Sequence, residues 1–271
     1  MYPRHEINLD ATEYHQRPEI SNSMLKWIAK SPAHFHHHLG AHVAPTKAME
    51  IGTVYHTLLL EPQLIDSMVV VNDDSRNSTK FKEFKAANTD KVILKEVEYT
   101  QLRDMAKSLL RTDWGKTLFT GEAKRELSLF WQDEDTGTAC RCRIDLIKMG
   151  NKPVLVDLKT TCDASEEGFW KSIRNYDYHV QAAFYFDAYK AVFGVEPHSF
   201  VFAMTEKTAP YVTAFYIVGN PIIEAGRAIY KKRLGIVKQC HESGVWQGYA
   251  DTPTEPTPPQ YITYFLEEQT L

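Results

Sequence analysis

Residues 139–161 read ACRCRIDLIKMGNKPVLVDLKTT, and two runs within this stretch alternate between apolar and polar residues. A period of two is typical of half-buried β-strands, so we predict strands over 139–147 and 153–159. The residues between them, around Gly150, are few enough to form a turn. The stretch therefore predicts two neighbouring strands that pair within one sheet.

Three charged side chains on these strands predict a metal site. Asp157 and Lys159 are two residues apart and share one face of the second strand, and Asp145 lies on the polar face of the first. Neighbouring strands lie about 5 Å apart, which lets two carboxylates converge on one hard cation such as Mg²⁺. Such a site suits phosphodiester hydrolysis, with the lysine ammonium positioning the attacking water. Because D-x-K alone also occurs on ordinary solvated strands, the prediction depends on Asp145.

Residues on the flanking elements extend this site. Glu126 lies on the strand that precedes Asp145, within a predicted strand over 122–131. His56 follows Gly52 by one turn of a predicted helix, where the missing glycine side chain would let another element approach closely. Gln181 and Tyr185 are four residues apart on a later helix and project from one face. The alternatives are a core histidine at His56 and ordinary helix–sheet packing for Gln181 and Tyr185.

Two arginines are candidates for DNA binding. Arg141 and Arg143 alternate with apolar residues on the strand of Asp145 and lie on its face. They have the chemistry either to pair with the aspartates or to bind phosphate, and we favour phosphate for one of them. Three aromatic residues are predicted to lie in the core, with base stacking as the alternative: Trp27, Trp170 and Tyr176.

The order of predicted elements indicates an α/β fold with a central mixed sheet flanked by helices. Helical patterns and caps precede the strands, residues 72–90 are predicted as a polar loop, and further elements follow at 178–193, 199–205, 211–218 and 220–244. We predict a single domain over 20–249, with an N-terminal extension over 1–19. Residues 250–271 form a Pro-rich acidic tail.

Composition limits the class of protein. The chain has 271 residues, 43% of them hydrophobic, and a formal net charge of −4, which excludes a wholly disordered chain. No run approaches the roughly 18 apolar residues of a membrane helix, and the N-terminus has no apolar segment typical of a secretory signal. We therefore expect a cytoplasmic protein with no membrane partner. Residues 76–125 hold twelve Lys/Arg against seven Asp/Glu, which permits a polyanionic partner without requiring one.

Taken together, the motifs resemble those of the PD-(D/E)XK nuclease superfamily, in its RecB-like branch. The motifs are G-x-x-x-H at 52–56, Glu126, Asp145, D-x-K at 157–159 and Q-x-x-x-Y at 181–185. Within this branch, the chain resembles the nuclease domain of exodeoxyribonuclease VIII, a prophage recombination exonuclease. The resemblance spans about residues 20–250 and implies a restriction-endonuclease-like core.

The resemblance also implies an activity. It implies a Mg²⁺-dependent exodeoxyribonuclease, with Mn²⁺ as a substitute, that degrades linear double-stranded DNA from the 5′ end. The product would be a 3′ overhang for a single-strand annealing protein, and the enzyme would be a ring-shaped homo-oligomer, a trimer or tetramer. The implied roles are metal binding for Asp145 and Asp157, metal binding or phosphate contact for His56, and water handling for Lys159. Glu126 would contact the metal or the 5′ end, and Gln181 and Tyr185 would contact the water or the substrate.

Other functions stay open on the sequence. The motifs recognise metal and phosphate rather than base or sugar, so an endonuclease or an enzyme specific for single strands or RNA is an alternative. A non-catalytic DNA-end-binding scaffold is another. One relative in the same branch carries an iron–sulfur cluster held by late cysteines, but here only Cys240 lies late in the chain, so we expect no cluster.

Overall fold

The structure is a computed structural model that describes residues 2–7, 9–40 and 45–258. Within these residues, six strands form one mixed sheet in the order β1-β4-β5-β6-β7-β8, and two short parallel strands, β2 and β3, form a second. The strands are β1 (Arg4–Glu6), β2 (Val69–Val71), β3 (Val92–Leu94), β4 (Ala123–Gln132), β5 (Ala139–Lys148), β6 (Val154–Thr161), β7 (Ser199–Glu206) and β8 (Thr213–Val218). Strands β6 and β7 are parallel and the other neighbours in the large sheet are antiparallel.

Helices cover both faces of the large sheet. They are α1 (Ala11–Gln16), α2 (Asn22–Ile28), α3 (Pro32–His38), α4 (Lys47–Leu60), α5 (Ile65–Met68), α6 (Thr79–Ala87), α7 (Glu96–Arg111), α8 (Asp113–Phe119), α9 (Glu166–Tyr176), α10 (Tyr178–Phe193) and α11 (Asn220–Ser243). Helices α2, α3, α9, α10 and α11 pack in one apolar layer, and α4, α7 and α8 pack in the other. The predicted mixed sheet flanked by helices is confirmed.

Several elements follow the predictions from local chemistry. Ser21 and Ser31 cap α2 and α3 by accepting hydrogen bonds from backbone N–H groups. Helix α10 spans the predicted residues 178–193 and ends at Gly194, whose φ of 73° suits the left-handed turn. The predicted loop over 72–90 is partly wrong, because it contains α6, an exposed helix that caps itself through Ser78.

The alternation predicted for β5 reverses at Asp145. Cys140, Cys142 and Ile144 lie in the α10 layer, but Leu146 lies in the α4 layer and Ile147 returns to the α10 layer. At the same point the sheet opens. Strands β5 and β6 pair only through 146–148 and 154–156, and the rest of β6 pairs with β7 alone. Asp145 therefore lies where two strands diverge.

The N-terminal extension packs against the sheet. Strand β1 pairs with β4, Tyr14 is buried, and Ile20 bridges to Cys140. In the tail, residues 250–258 have no helix or strand and are almost wholly exposed, and residues 259–271 lie outside the described part of the chain. No helix in the described ranges combines the length and apolarity that crossing a bilayer requires.

Candidate active site

Strand β6 presents Asp157 and Lys159 toward the α10 layer. Lys159 Nζ lies 2.5 Å from Asp157 Oδ2, and Asp157 is only 2% exposed. Burial raises the pKa of Asp157 to about 6, although the Lys159 ammonium opposes this shift. Burial also lowers the pKa of Lys159, but Asp157 and Asp145 outweigh it, so the net shift is upward. Lys159 is therefore an ammonium at neutral pH, a donor and a positive charge rather than a base.

Asp145 and His56 meet where β5 and β6 diverge. Asp145 Oδ2 accepts a 2.7 Å hydrogen bond from the backbone N–H of Leu158 and lies 3.6 Å from His56 Nδ1. His56 Nε2 lies 3.0 Å from the Leu158 carbonyl oxygen, which is only an acceptor, so Nε2 carries the proton. The lone pair of Nδ1 then faces a carboxylate oxygen, and a cation between them satisfies both. Metal-binding histidines commonly donate their other N–H to a carbonyl in this way.

Glu126 completes a group of three side chains whose ligand atoms could hold a metal ion. His56, Glu126 and Asp145 each offer a ligand atom, and these atoms lie within 4.8 Å of one another. Burial and the neighbouring Asp145 raise the pKa of Glu126 to about 8, because two adjacent carboxylates repel without a counter-charge. An imidazole nitrogen and two carboxylate oxygens form a donor set that fits a divalent cation.

The backbone explains how Glu126 reaches this group. Strands β4 and β5 pair at 125 with 146 and at 127 with 144, but Glu126 and Asp145 between them are not paired. Glu126 has φ 46°, in the left-handed region that a glutamate rarely adopts.

Gly52 on α4 is not a point of close approach between elements, because a Cβ placed there would meet no atom within 4 Å in the described structure. The expected close approach at Gly52 is wrong.

Gln181 on α10 joins the site through Asp157. Its Nε2 donates a 2.5 Å hydrogen bond to Asp157 Oδ1, and Gln181 itself is 9% exposed. The amide therefore fixes one carboxylate oxygen while Lys159 lies at the other. The structure thus shows two groups, one of His56, Glu126 and Asp145 and one of Asp157, Lys159 and Gln181. Asp145 connects them, because its Oδ2 accepts the backbone N–H of Leu158, which lies between Asp157 and Lys159. Within the described residues Asp157, predicted to share a cation with Asp145, is not among the three possible metal ligands.

This arrangement agrees with a comparison to known families. A family model described as "PDDEXK-like domain of unknown function (DUF3799)" matches residues 21–253. The chain belongs to this family. The PDDEXK-like domain and the site that it carries support a nuclease, a hydrolase of phosphodiester bonds with a divalent-metal site.

Solved structures support the fold of this PDDEXK-like domain. A "putative exonuclease" from Eubacterium rectale has a TM-score of 0.63 and 11% identity, over 96% of this chain and 98% of that one. At that identity the likeness shows the fold alone. The structure of SSO0001 is 13% identical over 69% of this chain and 86% of its own, with a TM-score of 0.32, too low to support an argument. No curated protein matches the chain.

The structure contradicts the predicted phosphate contact of Arg141 or Arg143. The buried guanidinium of Arg141 donates to the carbonyl oxygens of Arg17 and Glu19, and Arg143 donates to Leu9 O and to Ser128 Oγ, at 2.8 Å and 3.0 Å. Both side chains bind acceptors within the chain, mostly carbonyls of the N-terminal segment. They are therefore structural residues that hold this segment on the sheet.

Tyr185 lies one turn after Gln181, but its ring packs at an angle of 63° against Phe200. Burial raises the pKa of its hydroxyl well above the usual value. Its contact with water or substrate stays a prediction.

Sequence reasoning missed Tyr178, whose ring centroid lies 5.0 Å from Lys159 Nζ. Its spacing of three residues from Gln181 on one helix was the available signal, since such positions share a face.

Proposed function

We propose that this PDDEXK-like domain is a metal-dependent exonuclease that degrades linear double-stranded DNA from the 5′ end. The observation that carries the proposal is the adjacency of two parts across the divergence of β5 and β6. One part is the group of His56, Glu126 and Asp145, and the other is the Asp157–Lys159 pair held by Gln181.

The roles of the side chains follow from their charges. A divalent ion such as Mg²⁺ or Mn²⁺, when bound, lowers the pKa of an attacking water and polarises the scissile phosphate. His56, Glu126 and Asp145 would hold it, and we expect Asp157 to act beside them, because Asp145 contacts the strand of Asp157 at Leu158. The Lys159 ammonium donates hydrogen bonds to the water or to a phosphate oxygen and offsets negative charge as it develops.

The finer parts of the proposal rest on the resemblance to exodeoxyribonuclease VIII. They are the 5′→3′ direction, the 3′ overhang left for a single-strand annealing protein, a role in recombination in the cytoplasm, and assembly into a ring-shaped homo-oligomer. These parts are independent of one another, so evidence against one does not contradict the others.

Digestion of end-labelled DNA tests the direction and the metal requirement. Linear duplex labelled at either the 5′ or the 3′ end is incubated with Mg²⁺ or with EDTA, beside a covalently closed circle. We expect early release of the 5′ label as mononucleotide, late release of the 3′ label, and no reaction with EDTA or on the circle. Cutting of the circle would instead make the protein an endonuclease, and preference for unpaired strands or RNA would change the substrate.

Matched variants test the site. Asp157→Asn and Lys159→Gln should lose more than about a hundredfold in rate, because each removes a group that acts at the reacting phosphate. Asp113→Asn is the control, since its side chain is fully exposed at the start of α8. Equal rates in all three variants would contradict the proposed site, and metal-dependent binding of DNA ends without cleavage would favour a scaffold.

A further inference from the structure

One aromatic side chain on the core-facing stripe of α9 is exposed to solvent. Phe169 and Tyr176 are seven residues apart, so they lie on the same face of the helix. Phe169 is 4% exposed, whereas Tyr176 is 56% exposed. The sequence predicted that Tyr176 lies in the core, and this is wrong. A large apolar ring on an otherwise buried stripe has a free face for a partner.

The exposed Tyr176 ring lies near Lys159, with only the Tyr178 ring between them. The Tyr176 ring centroid lies 5.6 Å from that of Tyr178, and the Tyr178 centroid lies 5.0 Å from Lys159 Nζ. Tyr178 begins α10, the helix that carries Gln181. Tyr176 is therefore about one nucleotide away from the place where a phosphate meets Lys159.

Positive charge lies at the Lys159 end of this pair of rings. Burial and the Lys159 ammonium lower the pKa of Lys26 on α2, so the two amines lie near each other. Arg174 is exposed but two residues before Tyr176 on the helix, so it does not share the face of that ring, and the acid that follows Tyr176, Asp177, is paired with Arg233. A cation beside aromatic rings is the combination that binds unpaired nucleic acid strands.

We propose that Tyr176 is a base-stacking platform for the nucleotide next to the cleaved phosphodiester. The base leaves its duplex partner and stacks on the Tyr176 ring, while its phosphate lies at Lys159. The inference rests on the proposed nuclease function and adds a substrate requirement to it: the end of the duplex must unpair by at least one base. Because every base has a π-face, the platform is tolerant of sequence.

Fluorescence and kinetics test the platform together. The wild-type protein is mixed in EDTA with duplex DNA that carries 2-aminopurine at the 5′ terminus, so that binding is followed without cleavage. We expect a change in fluorescence with wild type and with Tyr176→Phe, which keeps the ring, and little change with Tyr176→Ala. In Mg²⁺, Tyr176→Ala should raise KM about tenfold and leave kcat nearly unchanged. Duplexes with a pre-frayed end should show a smaller defect.

The control is Trp114→Ala, which removes another exposed aromatic ring. Trp114 is 47% exposed and stacks on Phe215 of β8, in the opposite layer of the molecule. If Tyr176→Ala matches this control in both assays while wild type degrades DNA, the platform is wrong and the nuclease function stands. If Tyr176→Ala instead changes the oligomeric state measured by light scattering, the ring belongs to an interface and the proposal is overturned. A wild-type protein that cuts no nucleic acid would overturn the proposed function itself.

Discussion

Among single residues, we expect Gln181 to act on the site through Asp157, the carboxylate to which it donates a hydrogen bond. Its 2.5 Å hydrogen bond fixes the carboxylate that also contacts Lys159. Gln181→Ala should therefore lower kcat about 10–100-fold and change KM little, as seen when groups that orient metal ligands are removed. Steady-state kinetics on linear duplex would measure this split.

Tyr185→Phe is the matched comparison on the same helix. Tyr185 packs through its ring and makes no hydrogen bond to the residues that the structure describes, so a loss of kcat in Tyr185→Phe would report the predicted contact of its hydroxyl with water or substrate. A large loss in Tyr185→Phe with none in Gln181→Ala would reverse the roles given to the two side chains.

The sequence predicted the site wherever the argument depended on one strand or one helix. The spacing of Asp157 and Lys159 places them on one face of a strand, and the spacing of Gln181 and Tyr185 places them on one face of a helix. Neither spacing says that this helix lies over that strand. The same alternation placed Arg141 and Arg143 correctly on a face, but a strand pattern does not contain what covers that face. Their partners are mostly backbone carbonyls, up to 134 positions earlier in the chain, which no local pattern encodes.

At the scale of elements, Arg141 holds the N-terminal segment on β5. Arg141→Ala leaves buried carbonyl groups without donors, and we expect a loss of about 1–3 kcal/mol in the free energy of unfolding. The slope of log affinity for DNA against log salt concentration should not change, because Arg141 contacts carbonyl groups of the protein. Loss of a phosphate contact would instead make that slope shallower by about one unit. Denaturant titration and binding at several salt concentrations test both parts. A shallower slope at unchanged stability would restore the phosphate role.

Helix α11 supports α10, and with it Gln181, by close approach at one glycine. A Cβ on Gly226 would collide with the backbone carbonyl of His179, so Gly226→Ala must push the helices apart. We expect a loss of about 1–3 kcal/mol in stability, together with reduced activity. Gly235→Ala on the same helix meets no described atom within 4 Å and should stabilise by about 0.5–1 kcal/mol. Thermal unfolding of both variants tests the contrast, which equal midpoints would contradict.

For the whole molecule, stability should depend on pH in a way that metal reverses. In the metal-free protein the pKa of Glu126 is raised from 4.5 to about 8 and that of Asp157 from 3.8 to about 6. The folded protein then binds more protons than the unfolded chain within these windows, so stability falls as pH rises through them. Melting midpoints in EDTA should drop between pH 5 and pH 8, and Mg²⁺ should recover most of the loss at pH 8.

Glu126→Gln provides the control for this effect. The amide does not titrate, so the variant should show a flatter pH profile in EDTA and a smaller gain from Mg²⁺. A wild-type midpoint that rises with pH in EDTA would contradict the assignment of the raised pKa values.

The whole fold was predictable in its central part and not at its margins. The strands β4 to β8 and the long helices have strong periodicity, which survives in any tertiary context. Helix α6 was missed because its polar sequence resembles a loop, and its two phenylalanines, Phe81 and Phe84, are only half-buried. The reversal at Asp145 was also missed, because strand alternation assumes uninterrupted pairing.

At Glu126, the left-handed backbone makes thermal stability and catalysis favour different residues. Glycine adopts φ 46° without steric cost and would also remove a crowded acid, so Glu126→Gly should melt at a higher temperature in EDTA. The same change deletes a proposed metal ligand. Selection for heat tolerance alone would therefore tend to choose this substitution and yield durable, inactive protein, whereas selection that also demands DNA degradation would retain the strained glutamate.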